Sequence, residues 1–150
     1  DHPQLLAGAE GDALEIVATV DPRDATSVTI GVRETPDGAE RTMIIVDLAA
    51  NTLRVDVSSA SLDREIIYRH PDAGEVTEQA APIRVTPGAA FDLRIFIDHS
   101  IVEVFYNSSQ AIAQRIYPTR NDARGVSVSS AGRAEFSRLD VWSMHPTNFW

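Results

Sequence analysis

The stretch FDLRIFIDHSIVEVFYNSSQAIAQRIY, from Phe91 to Tyr117, carries the clearest strand pattern of the chain. Apolar and polar residues alternate along it with a period of two, as is typical of β-strands that separate two environments. Asp, Asn and Ser residues interrupt the alternation twice, and these residues favour turns. The stretch therefore predicts three consecutive antiparallel strands at Phe91–Ile97, Ile101–Asn107 and Ala111–Tyr117, joined by turns at Asp98–Ser100 and Asn107–Gln110.

Matching apolar residues across the turns predicts the register, because a slip of one residue would move every side chain to the other face. Ile97 is placed opposite Val102, and Val102 opposite Ile116, which leaves Gln114 as the one interruption of an apolar face. The same register sets Glu103 opposite Arg115. The opposite face is then charged and aromatic, which predicts that it holds a sugar or packs against another protein layer. The residues of this face are Arg94, Phe96, Asp98, Glu103, Phe105, Arg115 and Tyr117.

The composition excludes some classes of partner. The chain has 150 residues, a formal net charge of −9 and no cysteine, and its 13 basic residues are all arginine. An acidic chain argues against binding a nucleic-acid backbone, which requires a basic patch. No apolar run approaches the roughly 18 residues of a membrane span, so no membrane partner is predicted. Without cysteine the redox compartment stays open, and an extracellular location is slightly favoured.

Short apolar runs recur on both sides of the central stretch, separated by turn residues at roughly 8–12-residue spacing. Pro82 places the segment Glu75–Thr86 at a sheet edge, because proline cannot donate to a neighbouring strand. In the last run the apolar residues fall out of phase, which predicts a bulge near Ser137–Arg138. We predict one all-β domain over residues 1–150, a two-sheet antiparallel β-sandwich of jelly-roll type with about ten to twelve strands. The remaining predicted elements are strands at Ala13–Val20, Ser27–Arg33, Arg41–Leu48, Thr52–Val57, Gly125–Ser130 and Ala134–Trp142, a weak strand at Arg64–Arg69 and a turn at His70–Gly74.

Two carboxylates share the polar face, Asp98 and Glu103, at diagonal positions roughly 7–8 Å apart. Because glycoside hydrolysis needs a pair of carboxyl groups at such separations, an autonomous glycosidase using these residues is one hypothesis. A cationic neighbour such as Arg115 favours the ionised carboxylate, which is the wrong state for a general acid. A structural ion pair, or a contact to a ligand or another domain, is the alternative.

The sequence predicts no metal site, no cofactor and no nucleophilic triad. The four histidines lie far apart and lack a His or Cys partner at ligand spacing. Asp98-His99-Ser100 holds the residue types of a triad, but neighbours in one tight turn point apart, and no nucleophile elbow is present. Asn107-Ser108-Ser109 fits a glycosylation sequon, although a hairpin turn explains the same residues.

Three motifs occur in a characteristic order: DHSIVEVF at Asp98–Phe105, RIYP at Arg115–Pro118 and LDVWSM at Leu139–Met144. Together they resemble the C-terminal β-sandwich of glycoside hydrolase family 32, which comprises invertases, levanases, inulinases and related β-fructofuranosidases. The resemblance implies a concanavalin-like sandwich that packs against an N-terminal five-bladed β-propeller, and it implies that the propeller carries the chemistry.

The catalytic motifs of such a propeller, Asn-Asp-Pro-Asn, Arg-Asp-Pro and Glu-Cys, do not occur in this chain. The resemblance therefore implies no catalytic residue here. It predicts a non-catalytic accessory module of a fructan- or sucrose-cleaving enzyme that supports the propeller and the substrate cleft. Its expected partner is the catalytic propeller, with a fructan or sucrose ligand and a second copy of the chain as further candidates. A stand-alone fructan-binding module and the autonomous glycosidase are the alternatives.

Overall fold

The computed structural model describes residues 3–66, 69–70 and 74–145, and within them the secondary structure is entirely β. None of these residues belongs to a helix long and apolar enough to cross a membrane. The strands are β1 Gln4–Glu10, β2 Ala13–Asp21, β3 Ser27–Glu34, β4 Thr42–Asp47, β5 Thr52–Asp56, β6 Arg69–His70, β7 Gly74–Glu75, β8 Glu78–Pro82, β9 Phe91–Asp98, β10 Ile101–Tyr106, β11 Gln110–Arg115, β12 Gly125–Ala131 and β13 Glu135–Ser143.

Two antiparallel sheets pack face to face as a concanavalin-like jelly roll. The six-stranded sheet has the order β1–β12–β3–β4–β5–β8, and the five-stranded sheet has the order β11–β10–β9–β2–β13. Strands β6 and β7 form a separate two-stranded ribbon. Strand β8 lies at the edge of the six-stranded sheet, as predicted for Glu75–Thr86, but it covers only Glu78–Pro82, and Glu75 belongs to β7. The edge position suits Pro82, which cannot donate a ladder hydrogen bond.

The core lies between the sheets and is built from every second residue of each strand. The apolar face predicted for the central stretch is confirmed: Leu93, Ile95 and Val104 have at most 1% of their surface exposed. Phe91 and Tyr106 stack in this core with ring centroids 5.6 Å apart. Burying one such side chain stabilises the fold by about 1.5–3 kcal/mol. The further inward residues of the five-stranded sheet include Leu14, Ile16, Ala18, Val20, Ile97, Val102, Ile112 and Gln114.

Two registers were predicted for the central stretch, and the structure confirms the first but not the second. Between β9 and β10, Val102 lies opposite Ile97, which confirms the prediction. Between β10 and β11, Val102 lies opposite Gln114 instead of Ile116, so the predicted register is wrong by two residues. The cause is a tight turn in which Asn107 and Ser108 adopt left-handed φ values of 46° and 51°. This turn shortens the loop and lets β11 begin at Gln110.

Other elements differ from the prediction only locally. Strand β1 was not predicted; it pairs with β12 at the edge of the six-stranded sheet. The bulge near Ser137–Arg138 is confirmed, since the pairing of β13 with β2 shifts between Phe136 and Arg138. Residues 64–66 of the weak strand predicted at Arg64–Arg69 form no strand, residues 67–68 lie outside the described residues, and Arg69 belongs to β6. Residues 71–73 of the predicted turn also lie outside them.

Candidate functional site

The outer face of the five-stranded sheet, meaning the side turned away from the core, carries the residues singled out from the sequence. Alternation along β9 and β10 turns every second side chain outward, and the burial patterns of both strands follow this alternation. Phe105 and Tyr117 are exposed to 36% and 41%, large values for aromatic residues. The predicted residues are Arg94, Phe96 and Asp98 on β9, Glu103 and Phe105 on β10, Arg115 on β11, and Tyr117 just beyond β11.

The structure corrects one predicted pairing on this face. Glu103 lies opposite Ala113, and Arg115 lies opposite Ile101. The Arg115 guanidinium donates to the hydroxyl of Ser100 at 3.0 Å. The predicted Glu103–Arg115 ion pair is therefore wrong. Both residues remain on the same face of the same sheet, because a shift of two residues preserves the direction of each side chain.

Arg94 on β9 is an ordered cation of the outer face. Its Nε and Nη2 lie 2.8 Å and 2.6 Å from one carboxylate oxygen of Glu15 on β2. The guanidinium also lies over the ring of Phe96, 5.0 Å from the centroid. Phe96 meets Phe105 edge to face, with centroids 6.1 Å apart. An exposed ion pair contributes only about 0.2–1 kcal/mol to stability, so the main consequence of these contacts is a fixed guanidinium plane.

Strand β13 extends the same arrangement on the other side of β2. The Nε of Arg138 donates to Asp140 at 2.6 Å, and its guanidinium lies 5.9 Å from the ring centroid of Trp142. Trp142 is 44% exposed. Near β9, the hydroxyl of Thr19 donates to Asp92 at 2.7 Å. Sequence reasoning missed these residues, since the outward alternation of β2 and β13 was readable but their position beside β9 was not.

Two adjoining depressions follow from this arrangement. One has a volume of about 490 Å³ and reaches Thr19, Asp92 and Phe105. The other has a volume of about 560 Å³ and reaches Glu15 and Trp142. Both depressions are lined by the same three side chains of β2, β9 and β13, namely Val17, Arg94 and Arg138.

The predicted carboxylate pair lies outside these depressions. The side chain of Asp98 is 71% exposed, and its Oδ1 lies 2.8 Å from Nδ1 of His99 in the hairpin turn. Glu103 is also exposed and lies opposite Phe96. The general acid of a glycosidase works inside an enclosed site, whereas Asp98 and Glu103 are both open to solvent. Within residues 3–66, 69–70 and 74–145, no group of three or more His, Asp or Glu side chains could hold a metal ion.

A second polar cluster lies at the end of the sandwich where β2 begins and β9 ends, which we call the charged end. Glu40 is fully buried there. Its Oε1 accepts hydrogen bonds from the amide of Leu62 and from the amide and hydroxyl of Thr119, and its Oε2 accepts one from the amide of Arg120. Burial alone would raise the pKa of Glu40, but the hydrogen bonds from Thr119, Arg120 and Leu62 outweigh it and lower the pKa.

Arg120 links Glu40 to two further carboxylates, because its backbone amide donates to Glu40 and its guanidinium bonds Asp37 and Asp122. It donates to Asp37 at 2.6 Å and to both carboxylate oxygens of Asp122 at 2.6 Å and 2.9 Å. The Thr35 hydroxyl, Arg120 and the Ala39 amide hold the pKa of Asp37 well below its usual range. Together with Glu40 these contacts join the loops at residues 35–41, 57–66 and 116–124, and the last of these connects the two sheets.

Arg33 also lies at the charged end and is less well satisfied. It occupies the bulge where β3 meets β12, with a left-handed φ of 50°. Its Nε and Nη1 are buried and have no hydrogen-bond partner among the described residues. Burial lowers the pKa of the guanidinium, Arg124 acts in the same direction, and Asp12 and Glu40 oppose the shift only in part.

The match to a known family covers nearly the whole chain. The model of the family described as "Glycosyl hydrolases family 32 C terminal" matches residues 1–143. The chain belongs to this family. The match confirms the resemblance carried by the DHSIVEVF, RIYP and LDVWSM motifs, and it identifies the sandwich as the C-terminal module of family 32 glycosyl hydrolases.

Solved structures share the fold of this family 32 module. An exo-inulinase from Aspergillus awamori is 17% identical with a TM-score of 0.75, over 96% of this chain and 29% of that chain. A β-fructofuranosidase from Aspergillus kawachii is 16% identical with a TM-score of 0.76, over 93% and 25%. The carbohydrate-binding module CBM66 from Bacillus subtilis is 8% identical with a TM-score of 0.66, over 91% and 78%. No curated protein sequence matches the chain.

The chain thus spans less than a third of the length of the two Aspergillus enzymes. At such low identity these structures establish the sandwich fold alone. The family match adds that the module forms the C-terminal part of family 32 proteins.

Proposed function

We propose that this chain is the non-catalytic accessory module of an enzyme that cleaves β-fructofuranosides, of the invertase, levanase or inulinase type. Its role is to stabilise and orient a catalytic β-propeller and to form one wall of the substrate cleft. The observation that carries the proposal is the family match over residues 1–143 in a sequence without the propeller's Asn-Asp-Pro-Asn, Arg-Asp-Pro and Glu-Cys motifs.

The geometry favours an accessory role for the module over the activity of an autonomous glycosidase. Asp98 and Glu103 are exposed on the outer face and lie outside its depressions. By contrast, hydrogen bonds to the buried Glu40 order the loops of the charged end, and rigid loops are what a docking surface needs.

The activity test uses the 150-residue chain and the encoded full-length protein, which we expect to carry the propeller before Asp1. The chain alone should not hydrolyse sucrose, inulin or levan. Removing residues 1–143 from the full-length protein should lower its melting temperature and its kcat/KM. Turnover by the chain alone that Glu103→Gln abolishes would instead establish the autonomous glycosidase, and an unchanged melting temperature after removal would contradict the supporting role.

A further inference from the structure

The two depressions on the outer face form one groove, which we define by Val17 at its floor, Arg94 and Arg138 along it, and Phe105 and Trp142 at its ends. Strands β10, β9, β2 and β13 are successive neighbours. Phe105 and Trp142 are therefore three strand spacings apart across the sheet, roughly 14 Å. A groove of this length holds a short chain molecule better than a single small ring.

The charges of the groove do not suit an anion. Each arginine is already bonded to a carboxylate, Arg94 to Glu15 and Arg138 to Asp140. Asp92 adds a third negative charge beside Phe105. The groove therefore has no excess positive charge to attract phosphates or carboxylates, and a neutral polar ligand fits it better.

The same pairs suit hydroxyl groups. Carboxylate oxygens accept hydrogen bonds from hydroxyls, and guanidinium nitrogens donate to them, so each pair can engage neighbouring hydroxyls from both sides. Arg94 is held by Glu15 and by the ring of Phe96, and Arg138 is held by Asp140. Donors fixed in this way lose little conformational entropy on binding.

The aromatic ends supply the apolar half of the recognition. The rings of Phe105 and Trp142 are 36% and 44% exposed, and exposed aromatic rings offer flat surfaces to the C–H faces of sugars. Val17 lines the groove between the two arginines and adds apolar surface there.

We propose that this groove binds a neutral oligosaccharide, namely a segment of a β-fructan chain. The sugar class follows from the hydroxyl-matching pairs and the aromatic ends. The choice of fructan rests on the proposed function, since the enzyme to which the module would belong acts on such chains. The module would then hold polymer near the catalytic part.

The test is affinity electrophoresis of the 150-residue chain in native gels that contain levan, inulin or, as a control polymer, dextran. We expect levan or inulin to retard the chain and dextran to leave its mobility unchanged. Trp142→Ala and Arg94→Gln should each weaken binding about tenfold or more. Arg115→Gln, on the same outer face but outside the groove, should bind as the unchanged chain does. All these positions are exposed, and thermal unfolding checks that each variant is folded.

The outcomes separate the groove from the proposed function. Absence of retardation in every polymer would overturn the groove as a sugar site, while leaving the stability tests of the accessory role to stand on their own. Retardation that survives both Trp142→Ala and Arg94→Gln would overturn the location. Equal retardation by dextran and levan would overturn the fructan assignment and weigh against the substrate class proposed for the enzyme.

Discussion

Glu40 allows the structure of the charged end to be tested by a single substitution. In Glu40→Ala the amides of Leu62, Thr119 and Arg120 lose their common acceptor, and so does the Thr119 hydroxyl. We expect the free energy of unfolding to fall, because the carboxylate is fully buried and ties three loops together. Glu40→Gln is the milder variant, since the amide keeps the shape but turns one of the two accepting atoms into a donor.

The expected magnitude follows from the hydrogen bonds. One bond to a charged group contributes roughly 1.5–3 kcal/mol, and such contributions do not add fully. Because Leu62 and Thr119 reach solvent, water replaces part of what is lost. We therefore expect Glu40→Ala to cost about 3–5 kcal/mol and Glu40→Gln about 1–2 kcal/mol. In a domain of this size the larger loss lowers the melting temperature by roughly 6–20 °C.

The pH dependence provides a second readout. Hydrogen bonds hold the pKa of Glu40 below its unfolded value, which is about 4.3. The carboxylate therefore contributes its full stabilisation above about pH 5, and the contribution is lost as pH falls through the folded-state pKa. The stability difference between the unchanged chain and Glu40→Gln should be constant near neutral pH and shrink below about pH 4.

Urea denaturation, followed by near-ultraviolet circular dichroism at pH 7 and pH 3.5, measures both effects. Glu103→Gln is the matched control: its carboxylate is exposed on the outer face, and the change should stay within about 0.5 kcal/mol. If Glu40→Ala unfolds within about 0.5 kcal/mol of this control, the buried carboxylate does not hold the loops and the reasoning is refuted.

Two further predictions concern the central hairpins. Arg115→Met should change the free energy of unfolding by less than about 0.5 kcal/mol in urea denaturation, because Arg115 is exposed and its guanidinium donates to the Ser100 hydroxyl instead of pairing with a carboxylate among the described residues. A loss of several kcal/mol would show that Glu103 and Arg115 form an ion pair after all. Ser108→Gly should raise the free energy of unfolding by about 0.5–1 kcal/mol, and the melting temperature with it. Glycine adopts the left-handed φ of this position without steric cost. Destabilisation by Ser108→Gly would show that the turn does not have this conformation.

The fold was predictable where the signal is local. Alternation over Phe91–Ile97 fixes a strand and its faces, and the two-residue loop at His99–Ser100 fixes the register to β10. The phase change near Ser137 revealed the bulge for the same reason. The DHSIVEVF motif then linked this local pattern to a family.

The misses have physical causes that periodicity does not report. The register of β11 depends on two consecutive residues in the left-handed region, and Asn107-Ser108 does not require that conformation as Asn-Gly would. The bond between Arg94 and Glu15 spans 79 residues of sequence. The packing of the whole sandwich decides which strand lies beside β9. The positions of Glu15 and Trp142 next to Arg94 could therefore not be assigned from the sequence.

The separation between core and outer face is what makes the proposals testable one at a time. The inward residues of β2 and β9, such as Ile16 and Ile95, have 0% of their surface exposed, and replacing them would unfold the chain before any function is lost. Arg94 and Trp142 are exposed, and the Arg94–Glu15 pair contributes at most about 1 kcal/mol. A variant of the groove that loses fructan binding therefore reports on recognition, whereas Glu40 reports on loop order at a different part of the molecule. If Trp142→Ala lowered stability as much as Glu40→Ala, the outer face would belong to the folded core, and its assignment as a binding surface would fail.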